Sequence, residues 1–517
     1  MEFSPFQNQN EMQDFVPSPV SRKSIQEINY DDGPPSIHQN NFEYIPGNCI
    51  NEAIISLLGE GEPHDFYNLL INDENFEMIV EQTNLFASQR LMSEDSDFGK
   101  SSEFHSWTPT TVSEIKKFFG IIAYMGLVKM PTLKRYWSTN SKYKNQICGK
   151  FMPRNRFELI LAMLHFSDIQ SNDSNSRLHK VQSLVSKFVC KSQMFYTLAR
   201  VFCIDESLIP FRGRLIFKQY IPDKAHKYGV QIFKLCAGPS YTWNMKIYSG
   251  KEADQNNSIP TKVVLELSEK LLDTGRMAVT DNYYTSIDLA NQLLQRRTHL
   301  MGTLRANRRG NPKEVVGAKL KKGEIKAKQV ENGISILKWK DKRDVLMLST
   351  YHFNETVTIQ IRSKEIVKPL MVVDYNKGKS SVDLSDQFAS YGSCVRKTVK
   401  WYHKIAIEII LGTAIVNSHL LYEEVTGNKI SLLDFREAII DKLLDRPLTD
   451  PDVKKTHAFE KQPGNSRVGR RYCRGCYKKK LKNEIPKNKV KKVTTFCKTC
   501  PDQPRYCLEC FNKGHNK

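Results

Sequence analysis

Long apolar runs are missing from this 517-residue chain. The longest, Ile405 to Val416, is interrupted by Glu408 and falls short of the roughly 20 apolar residues that a spanning helix needs, so no membrane partner is expected. The opening MEFSPFQNQNE has neither a basic segment nor an apolar one, so no secretory leader is expected. Positive charge is scarce at this end: residues 1–100 carry 4 Lys and Arg against 18 Asp and Glu. Cysteine is thin over most of the chain. Six (Cys49, Cys148, Cys190, Cys203, Cys236, Cys394) are scattered, while the other six crowd into residues 473–510. No internal repeat is visible. These absences argue against a membrane span, a disulfide-stapled miniprotein and a solenoid.

What is present points elsewhere. Hydrophobic residues make up 40% and aromatics 10%, enough for sizeable cores. Lys and Arg number 77 against 56 acids, a net charge of +21 with pI near 9.3. Residues 454–517 alone hold 19 basic against 4 acidic residues. So basic a chain favours a polyanionic partner, most often nucleic acid.

Residues 1–60 are rich in Ser, Pro, Asn, Gln and acid without periodicity, and are expected to be disordered. Beyond them the pattern is helical to about residue 198. Thr111-Val-Ser-Glu114 reads as a capping box, opening a helix with Ile115, Phe118, Phe119, Ile122 and Met125 on one side. Arg154 to Phe166 reads as a second helix burying Phe157, Ile160, Leu161 and Leu164. From 199 onward short apolar runs take over. Arg200 to Ile204, Ile232 to Ala237, Asn244 to Ser249, Met277 to Thr280 and Leu300 to Leu304 read as strands. Helices over Lys262 to Leu272 and Ser286 to Gln295 make this a mixed α/β sheet. Residues 306–369 read as a β-rich insertion, helical periodicity resumes from Ser381 to Tyr422, and 454–470 is a polar linker.

Asp205 and Asp281 each close an apolar, strand-like run. Asp383 and Asp386 lie three apart at a helix start, hence on one helical face. Acids so placed suit Mg²⁺, which takes oxygen ligands from a few carboxylates, waters and phosphates. Two such ions about 4 Å apart clamp the attacking and leaving oxygens of a phosphoryl displacement. Crowded carboxylates repel, so such a site needs cations or protons. Taken singly, each Asp is more simply a turn former or a helix cap. Cations follow each acid: Arg212 and Arg214, then Arg305 and Arg308, then Lys397 and Lys400, placed to hold phosphates. Trp401 is placed to stack on an unpaired base or to pack in a core.

In the tail, Cys473-x-x-Cys476, Cys497-x-x-Cys500, Cys507-x-x-Cys510 and His515 give seven zinc ligands, one short of two tetrahedral sites. His457 is the candidate eighth. The expected arrangement is cross-braced. The first and third pairs share one Zn²⁺, and the second pair shares another with both His. A segment so small and charged builds little core, so metal supplies its folding free energy. Lys478 to Lys480 and Lys487 to Lys492 serve phosphate contact or a nuclear import signal.

Several words, in order, resemble the motifs of the piggyBac family of DDE transposases. The first is Cys203-Ile-Asp205-Glu-Ser-Leu-Ile-Pro-Phe-Arg212-Gly-Arg214, continued by Phe217 to Pro222 and Lys224 to Gly229. The second is Thr280-Asp281-Asn-Tyr-Tyr-Thr-Ser286, with Gly302 to Gly310 as its downstream basic word. The third is Val382-Asp383-Leu-Ser-Asp386-Gln387, followed by Arg396 to Trp401. The resemblance covers about residues 60–517. It departs at Ser380-Ser381, where the family usually has Gly-Gly before Val-Asp.

The resemblance implies an α/β fold with an RNase H-like catalytic core interrupted by a β-rich insertion, flanked by a helical dimerisation/DNA-binding domain, with a C-terminal cross-brace zinc-binding domain. It implies the divisions 1–60, 61–198, 199–305, 306–369, 370–386, 387–453 and 454–517. Residues 61–198 and 387–453 form the helical domain, and 199–305 and 370–386 the catalytic one. Asp205, Asp281 and Asp383 would be the catalytic triad on two Mg²⁺, with Asp386 as an additional metal-binding acid. Activity would be cleavage and joining of double-stranded DNA at transposon ends, with insertion at TTAA, by a homodimer in the nucleus. Two other readings stand beside it: a domesticated nuclear DNA-binding protein without transposition, and a tail that serves as a RING- or PHD-like protein-interaction module.

Overall fold

The apolar runs in the middle of the chain pair into one nine-stranded sheet. The computed structural model describes residues 42–44, 50, 55–56, 58–92, 103–143, 147–168, 176–222, 224, 226–250, 258–361, 364–395, 398, 400–445, 459–462, 470–482, 485–498, 500 and 503–515. The strands are β1 Val201–Pro210, β2 Gln219–Tyr220, β3 Tyr228–Ala237, β4 Tyr241–Ile247, β5 Met277–Thr280, β6 His299–Thr303, β7 Ile325–Gln329, β8 Ser335–Lys340 and β9 Asp344–Ser349. Their order is β2-β3-β1-β5-β6-β9-β8-β7, with β4 also paired to β3. β1 runs antiparallel to β3 and parallel to β5, and β5 runs parallel to β6. All four residues of β5 are buried, as expected of a parallel strand covered on both faces. The helix Ile287–Gln295, capped by the Ser286 side chain, crosses from β5 to β6.

One strand expectation changes. β1 does not stop at Ile204, because its antiparallel partner β3 continues to pair with it as far as Pro210↔Gly229. Asp205 is therefore inside a strand, at the point where the parallel β1–β5 ladder ends. The strands read within 306–369 mostly join the main sheet. β9 pairs with β6, so β7 to β9 extend the main sheet, and only Thr356–Ile361 and Lys364–Pro369 form a separate hairpin.

Helices from both halves of the chain cover this sheet. The early ones are Pro63–Leu70, Asp73–Met92, Val112–Leu127, Arg154–Met163 and His179–Phe195. Val112–Leu127 starts where Thr111 Oγ1 accepts the Glu114 N–H. The Glu114 carboxylate goes not to the cap backbone but to Thr110 Oγ1 and Arg156. The late helix Leu432–Leu444 lies so close to Val112–Leu127 that a Cβ on Gly120 would meet Leu444 Cδ2 at 2.8 Å.

Trp401–Thr426 is a continuous 26-residue helix with a π turn at Ile409–Thr413. Its mean hydropathy of 1.6 is what a membrane span requires, contrary to the expectation that no segment is long enough. However, 83% of that window is buried inside the fold, so its apolarity serves the core.

Phe42–Tyr44, inside the stretch expected to be disordered, lie against the sheet. The Phe42 ring is 4.9 Å from that of His299, and the Arg276 guanidinium stands 5.4 Å from the Tyr44 ring centroid. Most of residues 1–60 lies outside the described residues.

Candidate active site and metal centre

Sheet register brings the first two acids together. Ile204 pairs with Thr280 in the parallel ladder, so Asp205 and Asp281 are the next residues along two neighbouring strands. Asp281 opens the turn into the crossover helix. Its Oδ1 accepts the Tyr283 N–H at 2.9 Å, and its carbonyl accepts Thr285 Oγ1 at 2.7 Å. Asp383 lies in the first turn of the helix Ser381–Ser390, where the helix dipole favours a carboxylate. This helix packs on β1 and β3. Ser381 Oγ donates to the Gly238 carbonyl at 2.8 Å, and Asp386 Oδ1 accepts from Ser207 Oγ at 2.7 Å and from Lys234 Nζ at 2.8 Å. The Ser380-Ser381 departure is accommodated: Ser380 has φ −94°, which needs no glycine, and the Ser381 hydroxyl is used.

The charges crowd. Burial, then the neighbouring Glu206 and Asp281, push the Asp205 carboxyl up to about 8. Burial and Glu206 also raise Asp281, against the N–H groups of Tyr283 and Tyr284 and the Arg305 charge. Val382, next to Asp383, packs with Cys203 and Cys236, and Cys203 Sγ donates to the Lys379 carbonyl at 3.3 Å, so the start of that helix lies against β1 beside Asp205. The oxygen-only donor set and excess negative charge fit divalent cations such as Mg²⁺.

Two members of the cleft escaped the sequence reading. Glu206 accepts from Tyr284 Oη at 3.4 Å and sits beside Asp205, where a second acid in Asp-Glu was the available signal. Lys234 pairs with Asp386, and its signal was a lone charge inside an apolar run.

The cations divide. Arg212 and Arg214 are exposed. Arg212, Lys224, His226 and Lys227 line a cavity of about 1510 Å³ that also reaches Asp383 and Asp386. Arg305 Nε donates to Asn282 Oδ1 at 3.0 Å, and Arg308 donates to the carbonyls of Asn282 and Tyr283, so both brace the loop after Asp281. Lys400 is half-buried and donates to the Ala162 carbonyl at 2.5 Å; burial, with Arg90 and Lys180 nearby, lowers its ammonium to about 8. Trp401 packs edge-on to Phe217 at 5.2 Å, a core contact. Lys397 lies outside the described residues.

In the tail, the first and third Cys pairs meet. The ligand atoms of Cys473, Cys476, Cys507 and Cys510 all lie within 4.8 Å of one another, with S···S distances of 3.7, 3.9 and 3.7 Å. A tetrahedron with Zn–S bonds of about 2.3 Å has edges of about 3.8 Å, so these thiols fit zinc. Burial raises the Cys473 thiol, but N–H groups of Cys476 and Cys507 outweigh it and bring it below its ordinary value. Cys497 is buried and Cys500 half-buried, outside that cluster. His457 and the His515 side chain lie outside the described residues.

Residues 62–419 match a family model described as transposase IS4. Human PiggyBac transposable element-derived protein 3 is 26% identical over 422 residues, covering 78% of this chain and 66% of that protein. Human PiggyBac transposable element-derived protein 2 is 24% identical over 401 residues, covering 74% and 65%. The chain thus spans just under two thirds of these relatives' own length. The cryo-EM structure of a piggyBac transposase synaptic complex with hairpin DNA is similar at a TM-score of 0.66 and 25% identity, over 90% of this chain and 98% of that one.

Proposed function

The chain belongs to the piggyBac-type transposase family, and on that premise we propose that it is a DNA transposase that cuts and joins DNA at transposon ends and inserts at TTAA. What supports this reading is the register that makes Asp205 and Asp281 the next residues along neighbouring strands, with the Asp383 helix packed on the strand that carries Asp205. When bound there, two Mg²⁺ ions supply activation of the attacking water and stabilisation of the leaving oxygen. The chain's own residues do the rest. Arg305 and Arg308 fix the Asp281 loop, and Arg212, Lys224 and Lys227 offer phosphate contacts along the adjoining cavity.

The order β4-β3-β1-β5-β6, three antiparallel strands followed by two parallel ones, supports an RNase H-like core, with β7 to β9 as its insertion. We place one Zn²⁺ on Cys473, Cys476, Cys507 and Cys510 and a second on Cys497, Cys500, His457 and His515. The strongly basic tail then contacts double-stranded end DNA. A homodimer follows from the need to hold two ends. Residence in the nucleus follows from its Lys clusters read as an import signal.

A second reading, DNA binding without strand transfer, is favoured by one observation: the relatives above are named as element-derived proteins. Incubation with Mg²⁺ and a TTAA-flanked cognate end separates the two. Wild type is expected to give nicks and hairpins, and Asp281→Asn to lose at least 1000-fold, on the order that a group acting in the transition state contributes. If both are equally inert while both bind the end, the binding reading replaces the enzyme.

A further inference from the structure

A lysine in the middle of an otherwise apolar strand needs explaining. From Gly229 to Ala237 every residue of β3 is buried, and Lys234 is 2% exposed. A buried ammonium is stable only with partners. Lys234 stands opposite Asp205 in the β1–β3 register, which puts both side chains on one face of the sheet. Its Nζ reaches Asp386 Oδ1 at 2.8 Å. That same oxygen accepts Ser207 Oγ at 2.7 Å, and Ser207, two residues beyond Asp205, shares its face. Glu408, at the end of Trp401–Glu408 just before the π turn, adds a second negative charge to the lysine's surroundings.

We propose that Lys234 is a positioning residue of the acidic site: paired with Asp386, it docks the Asp383 helix on the strand that carries Asp205, and Asp386 serves as that anchor instead of as a metal ligand. This rests on the metal reading above. Asp383 and Asp386 are one helical turn apart, so fixing Asp386 against Ser207 and Lys234 sets the height and rotation of Asp383 over β1. Ser385 Oγ, 2.9 Å from Thr242 Oγ1, holds the same helix toward β4. Asp386 Oδ1 already accepts two donors, one of them cationic, and the ammonium 2.8 Å away opposes a divalent ion at either oxygen of that carboxylate.

The test is Mn²⁺ binding to the full-length, DNA-free protein, by isothermal titration and Mn²⁺ EPR. Asp383→Asn is expected to weaken binding at least tenfold, and Asp386→Asn to leave it within threefold of wild type. Lys234→Met leaves Asp386 uncompensated and is expected to cut end cleavage at least tenfold. Lys234→Met/Asp386→Leu removes both charges and is expected to recover most of that loss. Equal weakening of Mn²⁺ binding by Asp383→Asn and Asp386→Asn overturns the inference, as does a double variant no better than Lys234→Met. If Lys234→Met does not fold, the Asp386→Asn titration decides alone. Wild type that binds no Mn²⁺ is a different failure: it removes the metal reading, and this inference with it.

Discussion

The acidic cleft and the cysteine-rich tail both hold several would-be anions close together, and they do so by opposite means. In the tail the four thiols are themselves the core, supported by half-buried Ile485, Val490, Val493 and Tyr506. Two-residue and three-residue strand pairs are the sheet there. Among the described residues little else holds the segment, so a metal bound there would be structural. In the cleft, Asp205, Asp281 and Asp383 ride on a nine-stranded sheet whose buried core runs on into the helices. Their positions are fixed without a metal, but their charges are not compensated. A metal bound in the tail would fold its surroundings, and metals bound in the cleft would only neutralise theirs.

The largest effect should come from breaking the first half of that comparison. Stripping zinc with a chelator, or Cys476→Ser, is expected to abolish amide-exchange protection across residues 470–515 and to leave β1, β5 and β6 protected as before. Loss of protection in those strands at the same chelator concentration would show the two regions to be one cooperative unit and end the distinction.

The same contrast explains what was legible in the sequence. C-x-x-C spacing is local, so Cys473, Cys476, Cys507 and Cys510 could be picked out from the chain alone, and the expected meeting of the first and third pairs is what the fold shows. The apolar runs leading into Asp205 and Asp281 were visible, because buried parallel strands are apolar on both faces. The far edge strand was not: Ile325–Gln329 reads IKAKQ, with Lys at alternate positions, and looks like loop. β1's continuation to Pro210 was hidden because Asp205-Glu206-Ser207 interrupts the apolar pattern. The helical layer showed its period, but Trp401 read equally as a stacking platform or a core residue, and only its edge contact with Phe217, distant in sequence, favours the core. Lys234 was readable only as an anomaly, since its partner Asp386 is 152 residues away.

An intermediate effect should appear in the pH dependence. The Asp205 carboxyl titrates near 8 in the fold against 3.8 ordinarily. Between those values the folded metal-free protein holds a proton that the unfolded chain has released. Stability from this group is therefore full at low pH and falls as pH rises from about 4 to about 8. A divalent ion binds the ionised form, so saturating Mg²⁺ should flatten the slope of Tm against pH. Asp205→Asn should flatten it without metal. A Tm that rises through that window in metal-free protein, with the tail kept zinc-loaded, would contradict the claim that the cleft is preorganised at an electrostatic cost.

The smallest effect belongs to a site that is neither. Thr111 caps Val112–Leu127 with its side chain, and Thr111→Ala should cost about 1 kcal/mol. In a fold of this size that is a Tm decrease of ~2 °C. The cap touches no acid of the cleft and no thiol of the tail, so the metal-dependent part of stability should be unchanged: the Mg²⁺-induced shift in Tm and the chelator midpoint of the tail should both equal those of wild type. If Thr111→Ala instead lowers the chelator midpoint, the helices and tail exchange stability. The tail's reliance on metal would then reflect docking onto the body of the protein, and its four thiols would no longer account for its folding by themselves.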